Sequence, residues 1–494
     1  MNWAIIRNNG VIKIKDIPIL KIETLRSEII KNSEKRVVSF FGYKNDKSIK
    51  IFAILAEDDN SRLFVSSSIL QEGESYQSIT PDIPAFHLFE REIYEEFGIK
   101  PEGHPWLKPV RYSFNRYDKS QTMKNYPFFK MEGEEIHEVA VGPIHAGIIE
   151  PGHFRFQCYG EKVYHLEIQL GYQHRGIEDM FIKINPRHAV HLAESIAGDS
   201  VIAHTLAYCN LIEGLSEKVI SRRTKAIRGI ALEMERIAIH IGDLSALAGD
   251  IAYLQGNSIF GALRTLVINT MLDICGSRFG RGFVRPGGVV FDINEDLKKK
   301  IKNILLKVMK EVSLAAEAFF SSSSVLSRLE QTGTVDVKTA KKIGMVGPAA
   351  RASGVAVDVR ADHPYGIYIT HPVHKLTLRG GDVFSRAYMR YLEIKQSIRF
   401  ILEILEDFPE DSIGNFLPLK LRPTSFSVSL VEGWRGEIAH IALTDEKGQL
   451  FRYKIKDPSF NNWYGLALAV KNNGISDFPL CNKSFNLSYC GYDL

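Results

Sequence analysis

Long stretches of helical periodicity fill the middle of this 494-residue chain and restrict the folds open to it. Apolar residues recur at helical spacing in five stretches, residues 188–212, 216–248, 258–279, 295–326 and 384–405. A series of this kind predicts long helices packed in a bundle-like core. After the last of them, residues 433–442 and 450–456 are predicted to form a β-hairpin.

The beginning of the chain has a different pattern. Short apolar runs at 37–41 and 51–55 predict strands, and residues 86–97 predict a helix. The chain is therefore predicted to contain a small α+β domain over residues 1–115, an extended polar linker over 116–138 and a mainly helical domain over 139–494. The predicted fold class of the whole is α+β, with peripheral β-hairpins on the helical part.

Composition argues against several classes of protein. Apolar residues make up 45% and charged residues 24%, and a net charge of +4 makes no basic stripe, so no nucleic-acid partner is expected. The five cysteines never form C-x-x-C, which argues against a disulfide framework or a zinc site. No secretory signal and no window of about 18 uninterrupted apolar residues is found. Membrane association is therefore expected to depend on partner subunits.

Two strings near the end of the first domain carry a first resemblance. They are EREIYEEFGI at 90–99 and EGHP at 102–105. The first string alone describes an amphipathic helix that ends at Gly98. Together the strings resemble the signature of the 30 kDa subunit of respiratory complex I.

The remainder, from about residue 140, resembles the 49 kDa subunit of complex I and the large subunit of energy-converting nickel-iron hydrogenases. The matching strings run in order along the chain: GPIH at 142–145, EPGHFR at 150–155, HRGIE at 174–178, ERI at 235–237, RPGG at 285–288, GPAARASG at 347–354, DHPY at 362–365, EGWRGE at 432–437 and DPSF at 457–460. A fused 30 kDa and 49 kDa arrangement is typical of the formate hydrogenlyase branch. The resemblance implies a subunit of an oxidoreductase complex, similar to NADH:quinone oxidoreductase.

The metal ligands of hydrogenases are missing from the matching positions. Hydrogenases of this family hold nickel with two C-x-x-C pairs, because four soft thiolates suit the metal. The residues at the equivalent positions here are Ala197, Ser200, Ser488 and Gly491. Cys490 lies one residue from a ligand position and Cys481 lies upstream, and both are expected to be buried small apolar residues. The resemblance thus implies the hydrogenase scaffold without its nickel-iron centre.

In the complex I branch, the same cavity holds a quinone head group beside a histidine on the first hairpin, an aspartate on a helix and a tyrosine. Asp250 is the candidate aspartate, ten residues after His240 as in the family pattern. The candidate histidine is His153 or His145, because the hairpin is two residues longer than in the 49 kDa subunit. Since a lone buried carboxylate is costly, His153 is expected to pair with Asp250 and to form a proton donor. The tyrosine position falls at or beside Gly198, so that partner is absent.

Three further residues have a functional and a structural interpretation. Glu178 resembles the glutamate that relays protons from the nickel site of hydrogenases. It also fits a solvated or salt-bridged carboxylate at a helix start, and both interpretations stay open. Arg351 and His363 are expected to be ion-pair and turn residues.

Two functions from different classes follow from the resemblance. In the first, electrons pass from a 4Fe-4S cluster in an iron-sulfur small subunit to a quinone-like acceptor in this protein, with His153 and Asp250 donating protons. In the second, the chain is a non-catalytic coupling or scaffold subunit of a hydrogenase-related complex, which the absent tyrosine favours. Both imply antiporter-like and other membrane subunits as partners, a peripheral position on the cytoplasmic side of the membrane, and no tightly bound cofactor. Nickel-dependent hydrogen chemistry is the least favoured function.

Overall fold

The computed structural model of the chain describes residues 2–147, 149–186, 188–414 and 420–494. Helices and several small sheets both contribute, so the predicted α+β class is confirmed. A continuous apolar core runs from the first domain through the helical part to the C-terminal residues. The two ends of the chain are therefore packed into one structure.

The N-terminal part consists of a mixed sheet and two covering helices. Its elements are β1 (Ala4–Ile6), β2 (Val11–Lys13), β3 (Ile19–Leu20), α1 (Ile22–Lys31), β4 (Arg36–Asn45), β5 (Ser48–Glu57), β6 (Arg62–Gln71), β7 (Ser75–Gln77), α2 (His87–Phe97) and β8 (Lys100–Glu102). The strand order is β1-β6-β5-β4, with β3 parallel to β6, and α1 packs against β6 and α2 against β4. The predicted strands and the predicted helix are confirmed, and α2 ends at Gly98 with a φ of 70°, a left-handed conformation that favours glycine.

A three-stranded antiparallel sheet and three helices follow. They are β9 (Ile136–Val141), β10 (His153–Tyr159), β11 (Lys162–Gln169), α3 (Ile177–Lys183), α4 (Ala189–Ala193) and α5 (Val201–Leu215). β9 begins inside the predicted linker, and the domain limits themselves stay a prediction. The helix predicted over 188–212 is divided into α4 and α5, and at the end of α4 the Glu194 carboxylate accepts the N–H of Gly282 and contacts the guanidinium of Arg285. The resulting loop, residues 194–200, forms one side of the candidate site.

Long helices build the core as the periodicity predicts. The elements are α6 (Arg222–Asp250), α7 (Leu254–Cys275), β12 (Val284–Arg285), β13 (Gly288–Val289), α8 (Glu295–Ser321), α9 (Ser323–Leu329), α10 (Val337–Lys342), α11 (Gly347–Ala352), α12 (Val359–Asp362) and α13 (Val383–Glu406). α6 packs against α7 and α13, and α8 packs against the same two helices. Side chains of Ser221, Asn294 and Asp382 cap the N-termini of α6, α8 and α13, which fixes where each helix begins.

The C-terminal part adds a sheet and three helices. The elements are β14 (Ser425–Gly433), β15 (Gly436–Thr444), β16 (Leu450–Lys456), α14 (Pro458–Val470), α15 (Phe478–Phe485) and α16 (Tyr489–Asp493). The predicted hairpin is confirmed as β15 and β16, but β14 was missed although serines alternate with apolar residues along it. The sheet order is β16-β15-β14-β2, so a strand from the beginning of the chain completes this sheet.

Among the described residues, helix α7 has the length and hydropathy expected of a membrane-spanning helix. It has 22 residues with a mean hydropathy of 1.3 over its best window, although Arg264 and Asp273 interrupt it. In the structure it packs between α6 and α8, and 44% of that window is buried. Such packing is typical of a core helix.

Candidate functional site

Two segments that are far apart in sequence meet in the structure: the loop at residues 194–200 and the tail at residues 483–494. Arg175 bridges them, because its guanidinium donates to the carbonyl oxygens of Ser195 at 2.7 Å and Cys490 at 3.2 Å. The two segments that carry the family's metal-ligand positions therefore lie side by side. Their junction is the candidate site.

Arg435 makes a second bridge from the turn between β14 and β15. Its guanidinium binds both carboxylate oxygens of Asp199, at 2.6 and 2.7 Å, and also donates to the carbonyl oxygen of Asn486. Burial works against its charge, but Asp199 keeps the pKa of Arg435 above its ordinary value. A bidentate arginine–carboxylate pair fixes geometry more strongly than a single contact. Loop and tail are thus held by two permanent cations.

The four positions aligned with nickel ligands have no donors that suit a soft metal. Ala197 is fully buried and apolar, and the Ser200 hydroxyl accepts a hydrogen bond from Arg435 at 3.3 Å. The Ser488 hydroxyl accepts one from the N–H of Gly491 at 2.9 Å and so caps α16. A protonated hydroxyl does not replace a thiolate. Across residues 2–147, 149–186, 188–414 and 420–494, no three His, Cys, Asp or Glu side chains are grouped as metal ligands.

Position 491 also has little room for a side chain. A Cβ built on Gly491 would lie 2.8 Å from Cγ and Oδ2 of Asp457, closer than side-chain atoms normally approach. Asp457 is placed there because it caps α14, where its Oδ1 accepts the N–H of Ser459 at 2.8 Å ahead of Pro458. A side chain at position 491 would therefore require Asp457 to move.

A buried hydrogen-bonded chain of side chains leads away from Asp457. His204 lies 3.0 Å from Asp457 Oδ2 through Nε2 and 3.1 Å from His440 through Nδ1, and His440 lies 2.7 Å from the Tyr453 hydroxyl. Burial lowers the pKa of His440 well below its ordinary value. Although burial opposes ionisation of Asp457, His204 and Arg435 hold its pKa below its ordinary value. The chain therefore consists of two histidines in contact, between the Tyr453 hydroxyl and the Asp457 carboxylate.

The hairpin between β9 and β10 places the two candidate histidines differently. His153 is buried, and both ring nitrogens are engaged, with the Gly142 carbonyl at 3.0 Å and Arg155 Nε at 3.2 Å. Burial lowers its pKa. His145 is half-buried near the hairpin tip, with Nε2 2.8 Å from the Gly152 carbonyl. His145 is therefore the more accessible of the two.

The predicted pair of His153 and Asp250 was wrong. Asp250 is the last residue of α6 and is exposed, and its neighbouring charge is Lys483. Within the part of the chain that the structure describes, no contact joins Asp250 to His153. The carboxylate needs no histidine because it reaches solvent at the helix end. His240, one of the two residues of the family spacing, is fully buried and lies 2.9 Å from Glu393.

Glu178 is the second residue of α3 and is locked by cations. Its carboxylate contacts Lys454 at 3.1 Å and Arg452 at 3.3 Å and accepts the N–H of Ile455 at 2.9 Å. Burial alone would raise its pKa, but these cations lower the pKa of Glu178 to about 2. The contacts favour the salt-bridged interpretation over a proton relay. A cavity of about 440 Å³ lies beside this group.

The remaining candidates have ordinary surroundings. Arg351 pairs with Glu393 and His363 lies 2.9 Å from Asp58, so both take part in ion pairs or hydrogen bonds as expected. Cys481 is buried, whereas Cys490 is half-buried and lies 3.4 Å from the Ser488 hydroxyl. Burial raises the pKa of the Cys490 thiol to about 11, so it stays protonated at neutral pH.

Comparison with known proteins shows which family the chain belongs to. The family model "Respiratory-chain NADH dehydrogenase, 30 Kd subunit" matches residues 22–129, and "Respiratory-chain NADH dehydrogenase, 49 Kd subunit" matches residues 250–423. The carbon monoxide-induced hydrogenase of Rhodospirillum rubrum is 30% identical over 356 residues, which are 71% of this chain and 97% of that protein. The chain belongs to the family of complex I 49 kDa subunits and hydrogenase large subunits. It joins a 30 kDa-type domain to a large subunit of this family in one polypeptide.

Further family members match over most of their length. Formate hydrogenlyase subunit 5 of Escherichia coli (strain K12) is 26% identical over 462 residues, covering 89% of this chain and 81% of that protein. A subunit of the NADH-quinone oxidoreductase of Bacteroides thetaiotaomicron is 26% identical over 415 residues, covering 76% of this chain and 78% of that protein. A chain of the membrane-bound sulfane sulfur reductase, an archaeal respiratory membrane complex, has the same fold, with a TM-score of 0.68 at 22% identity over 73% of this chain and 99% of that chain.

Sequence reasoning located the loop and tail of this complex I and hydrogenase family member but missed what joins them. Arg175 and Arg435 lie within the matched strings HRGIE and EGWRGE, so a signal was present for both. The His204 and His440 pair had none, because the two residues are 236 positions apart. Only the fold brings them into contact.

Proposed function

We propose that this chain is the large subunit of a membrane-associated, complex I-like oxidoreductase that performs no nickel chemistry. In this proposal, electrons from an adjacent iron-sulfur subunit reach a small organic acceptor of the quinone type at the candidate site. The names of relatives support a membrane-associated complex, since one of them is the membrane-bound hydrogenase subunit alpha of Pyrococcus furiosus, 29% identical over 365 residues. The donor set supports the absence of nickel, because none of the four aligned residues offers a thiolate.

The observation that carries this proposal is the exposed position of Gly198, in a loop at residues 194–200 that arginines flank. Gly198 is exposed, and a Cβ there would have only Arg281 within reach, at 4.0 Å. Arg175 is anchored to the same loop and is also exposed. Guanidinium groups beside open space favour an acceptor that gains negative charge on reduction. A quinone head group has carbonyl oxygens of this kind.

His145 and Asp250 are the groups proposed to supply protons. His145 replaces His153 in this role, because the ring of His153 is buried and fully engaged. Asp250 is exposed at the end of α6 beside Lys483, on the tail. An exposed carboxylate exchanges protons with solvent directly. The two residues act separately in this account.

A coupling function is the second candidate, supported by the way the tail is tied to the core. Asn486 donates to Asp243 at 2.7 Å, and Asp243 pairs with Arg390 of α13 at 2.8 Å. A change at the loop would reach two core helices through these buried contacts. The absence of a tyrosine at the Gly198 position also favours this function.

Quinone reduction by the purified complex distinguishes the redox function from the coupling function. With a reduced viologen as donor and a soluble short-chain quinone as acceptor, the native complex is expected to turn over. His145→Gln and Asp250→Asn should each lower kcat by about 10²-fold, the usual contribution of a positioned acid. His137→Gln, an exposed histidine of β9, is the matched control and should leave kcat unchanged. No quinone reduction by the native complex would contradict the redox function and favour coupling.

A further inference from the structure

A second cavity lies away from the junction of loop and tail. It has a volume of about 250 Å³ and is lined by the second half of α5, the first turns of α6 and the turn after β1, which contributes Asn9. Asn210, on α5, lies ten residues beyond Ser200, which corresponds to about 15 Å along a helix. The cavity, called the α5–α6 pocket below, is therefore separate from the candidate site.

Three residues that line the α5–α6 pocket each have a buried polar atom without a partner among the described residues. Asn9 Oδ1, Asn210 Nδ2 and Arg228 Nε are each buried and have no hydrogen-bond partner among the described residues. Arg228 is only 3% exposed. Leaving such atoms unpaired costs about 1–3 kcal/mol each. Three of them around one cavity indicate a place where a polar molecule binds.

The guanidinium of Arg228 is held in a fixed orientation. Its Nη1 and Nη2 bind the two carboxylate oxygens of Glu213 at 2.9 and 2.7 Å, and Nη2 also donates to the carbonyl oxygen of Gly288 at 3.0 Å. Glu213 accepts in addition the N–H of Gly287 at 2.6 Å. With the Arg285 carbonyl oxygen, 2.6 Å from Nη2, the guanidinium makes four contacts, and Nε is the nitrogen without a partner. This is the arrangement of a preorganised donor.

The charge at the α5–α6 pocket is positive. Lys218 and Lys225 line it and are half-buried, and neither forms an ion pair within the described ranges. Glu213 is the carboxylate of the lining, and its charge is already matched by Arg228. Two lysine charges are left in excess at the cavity. Unmatched cations over a polar cavity favour an anion.

We propose that the α5–α6 pocket binds a small oxyanion, a carboxylate or phosphate compound that also carries a hydroxyl group. Asn210 Nδ2 and Arg228 Nε donate to the oxyanion, Asn9 Oδ1 accepts from the hydroxyl, and the two lysines neutralise the charge. Cavities for drug-sized ligands measure about 300–1,000 Å³, so this one holds a compact molecule. The proposal does not depend on the redox function of the other site.

A ligand there would join the N-terminal part of the chain to the helical core. Asn9 belongs to the N-terminal part, whereas Arg228 and Asn210 belong to the helical core. Tyr368 also lines the pocket, and its hydroxyl donates to Glu233 of α6 at 2.6 Å. Because a ligand that binds only the folded state stabilises it, the thermal midpoint of the chain should rise with ligand concentration.

The test is binding of two probes, inorganic phosphate and L-malate, to the full-length chain. Isothermal titration at constant ionic strength, with chloride as the reference anion, is expected to show saturable one-to-one binding of at least one probe with a Kd below about 10 mM. Saturable binding of phosphate alone assigns the pocket to phosphate compounds, and binding of malate alone assigns it to hydroxy acids. No saturable binding of either probe would overturn the proposal.

A matched pair of variants tests the location. The double variant Lys218→Gln, Lys225→Gln should raise the Kd at least about tenfold. The control is Lys299→Gln, Lys310→Gln, which removes the same charge from two exposed lysines of α8 and should leave the Kd unchanged. Because all four lysines reach solvent, both variants are expected to fold. An equal Kd in the two double variants would contradict the assignment to this pocket.

Discussion

Asp457 lies against Gly491, with its Oδ2 at 2.8 Å from the place where a Cβ would be, and the same oxygen accepts a hydrogen bond from His204 Nε2 at 3.0 Å. In the family, position 491 aligns with a metal ligand. Here the carboxylate that begins α14 fills the adjacent space. Asp457 therefore limits the side chains that fit at position 491.

Substitution at position 491 tests this packing. Gly491→Ala should destabilise the protein by about 1–3 kcal/mol, because the new methyl group has no room beside Asp457. Gly261→Ala is the control, since a Cβ there meets only Ser245 Oγ at 3.5 Å and alanine favours the helix by up to about 1 kcal/mol. Urea unfolding measures both. Equal stability of the two variants would contradict the close contact at Gly491.

Arg435 is predicted to hold the tail to the loop through its planar guanidinium group. Arg435→Lys keeps the charge but loses the bidentate contact with Asp199, at a cost of about 1–3 kcal/mol. The tail should also become more sensitive to carboxypeptidase. Arg222→Lys, in an exposed pair with Asp411, is the control and should cost less than about 1 kcal/mol. A tail digested at the wild-type rate in Arg435→Lys would rule out this bridge.

The ion pairs of Glu178 predict a pH-dependent contribution to stability. Its folded pKa of about 2 lies below its ordinary value of 4.5, which corresponds to about 3 kcal/mol of stabilisation above pH 4.5. This contribution is lost as pH falls from about 4.5 towards 2, because the unfolded state then binds the proton first. The stability difference between wild type and Glu178→Gln should therefore be largest above pH 5 and shrink below pH 4. Denaturant unfolding at several pH values measures this.

The same variant separates the two interpretations of Glu178. If the carboxylate is only an ion-pair partner, Glu178→Gln loses stability and keeps the pH profile of quinone reduction. A proton relay predicts the reverse, a shifted pH profile with little change in the stability of the folded chain. Glu92→Gln is a suitable comparison, because Glu92 contacts the same Lys454 at 2.6 Å.

The fold was largely readable from the sequence because its signals are local. Helical periodicity located α6, α7, α8 and α13, and alternation located β15 and β16. The break between α4 and α5 was not predicted, and the contacts that Glu194 makes there join residues about 90 positions apart. The pairing of β2 with β14 likewise joins opposite ends of the chain.

The candidate site was readable only in part. Motif positions identified Ala197, Ser200, Ser488 and Gly491, because spacing within a motif is a property of the sequence. The side chains that lie beside these positions could not be predicted from motif spacing. The expected contact between His153 and Asp250 was wrong for this reason. A backbone carbonyl and Arg155 engage His153, and although Arg155 lies in the matched string EPGHFR, the string does not show which side chain it contacts.

The metal content of the purified complex tests the central claim most directly. Cells are grown with added nickel, and the complex is analysed for nickel by plasma mass spectrometry against the amount of this chain. No stoichiometric nickel is expected, because Ala197, Ser200, Ser488 and Gly491 offer no thiolate and Asp457 lies close to position 491. About one nickel ion per chain, retained after chelation, would contradict it.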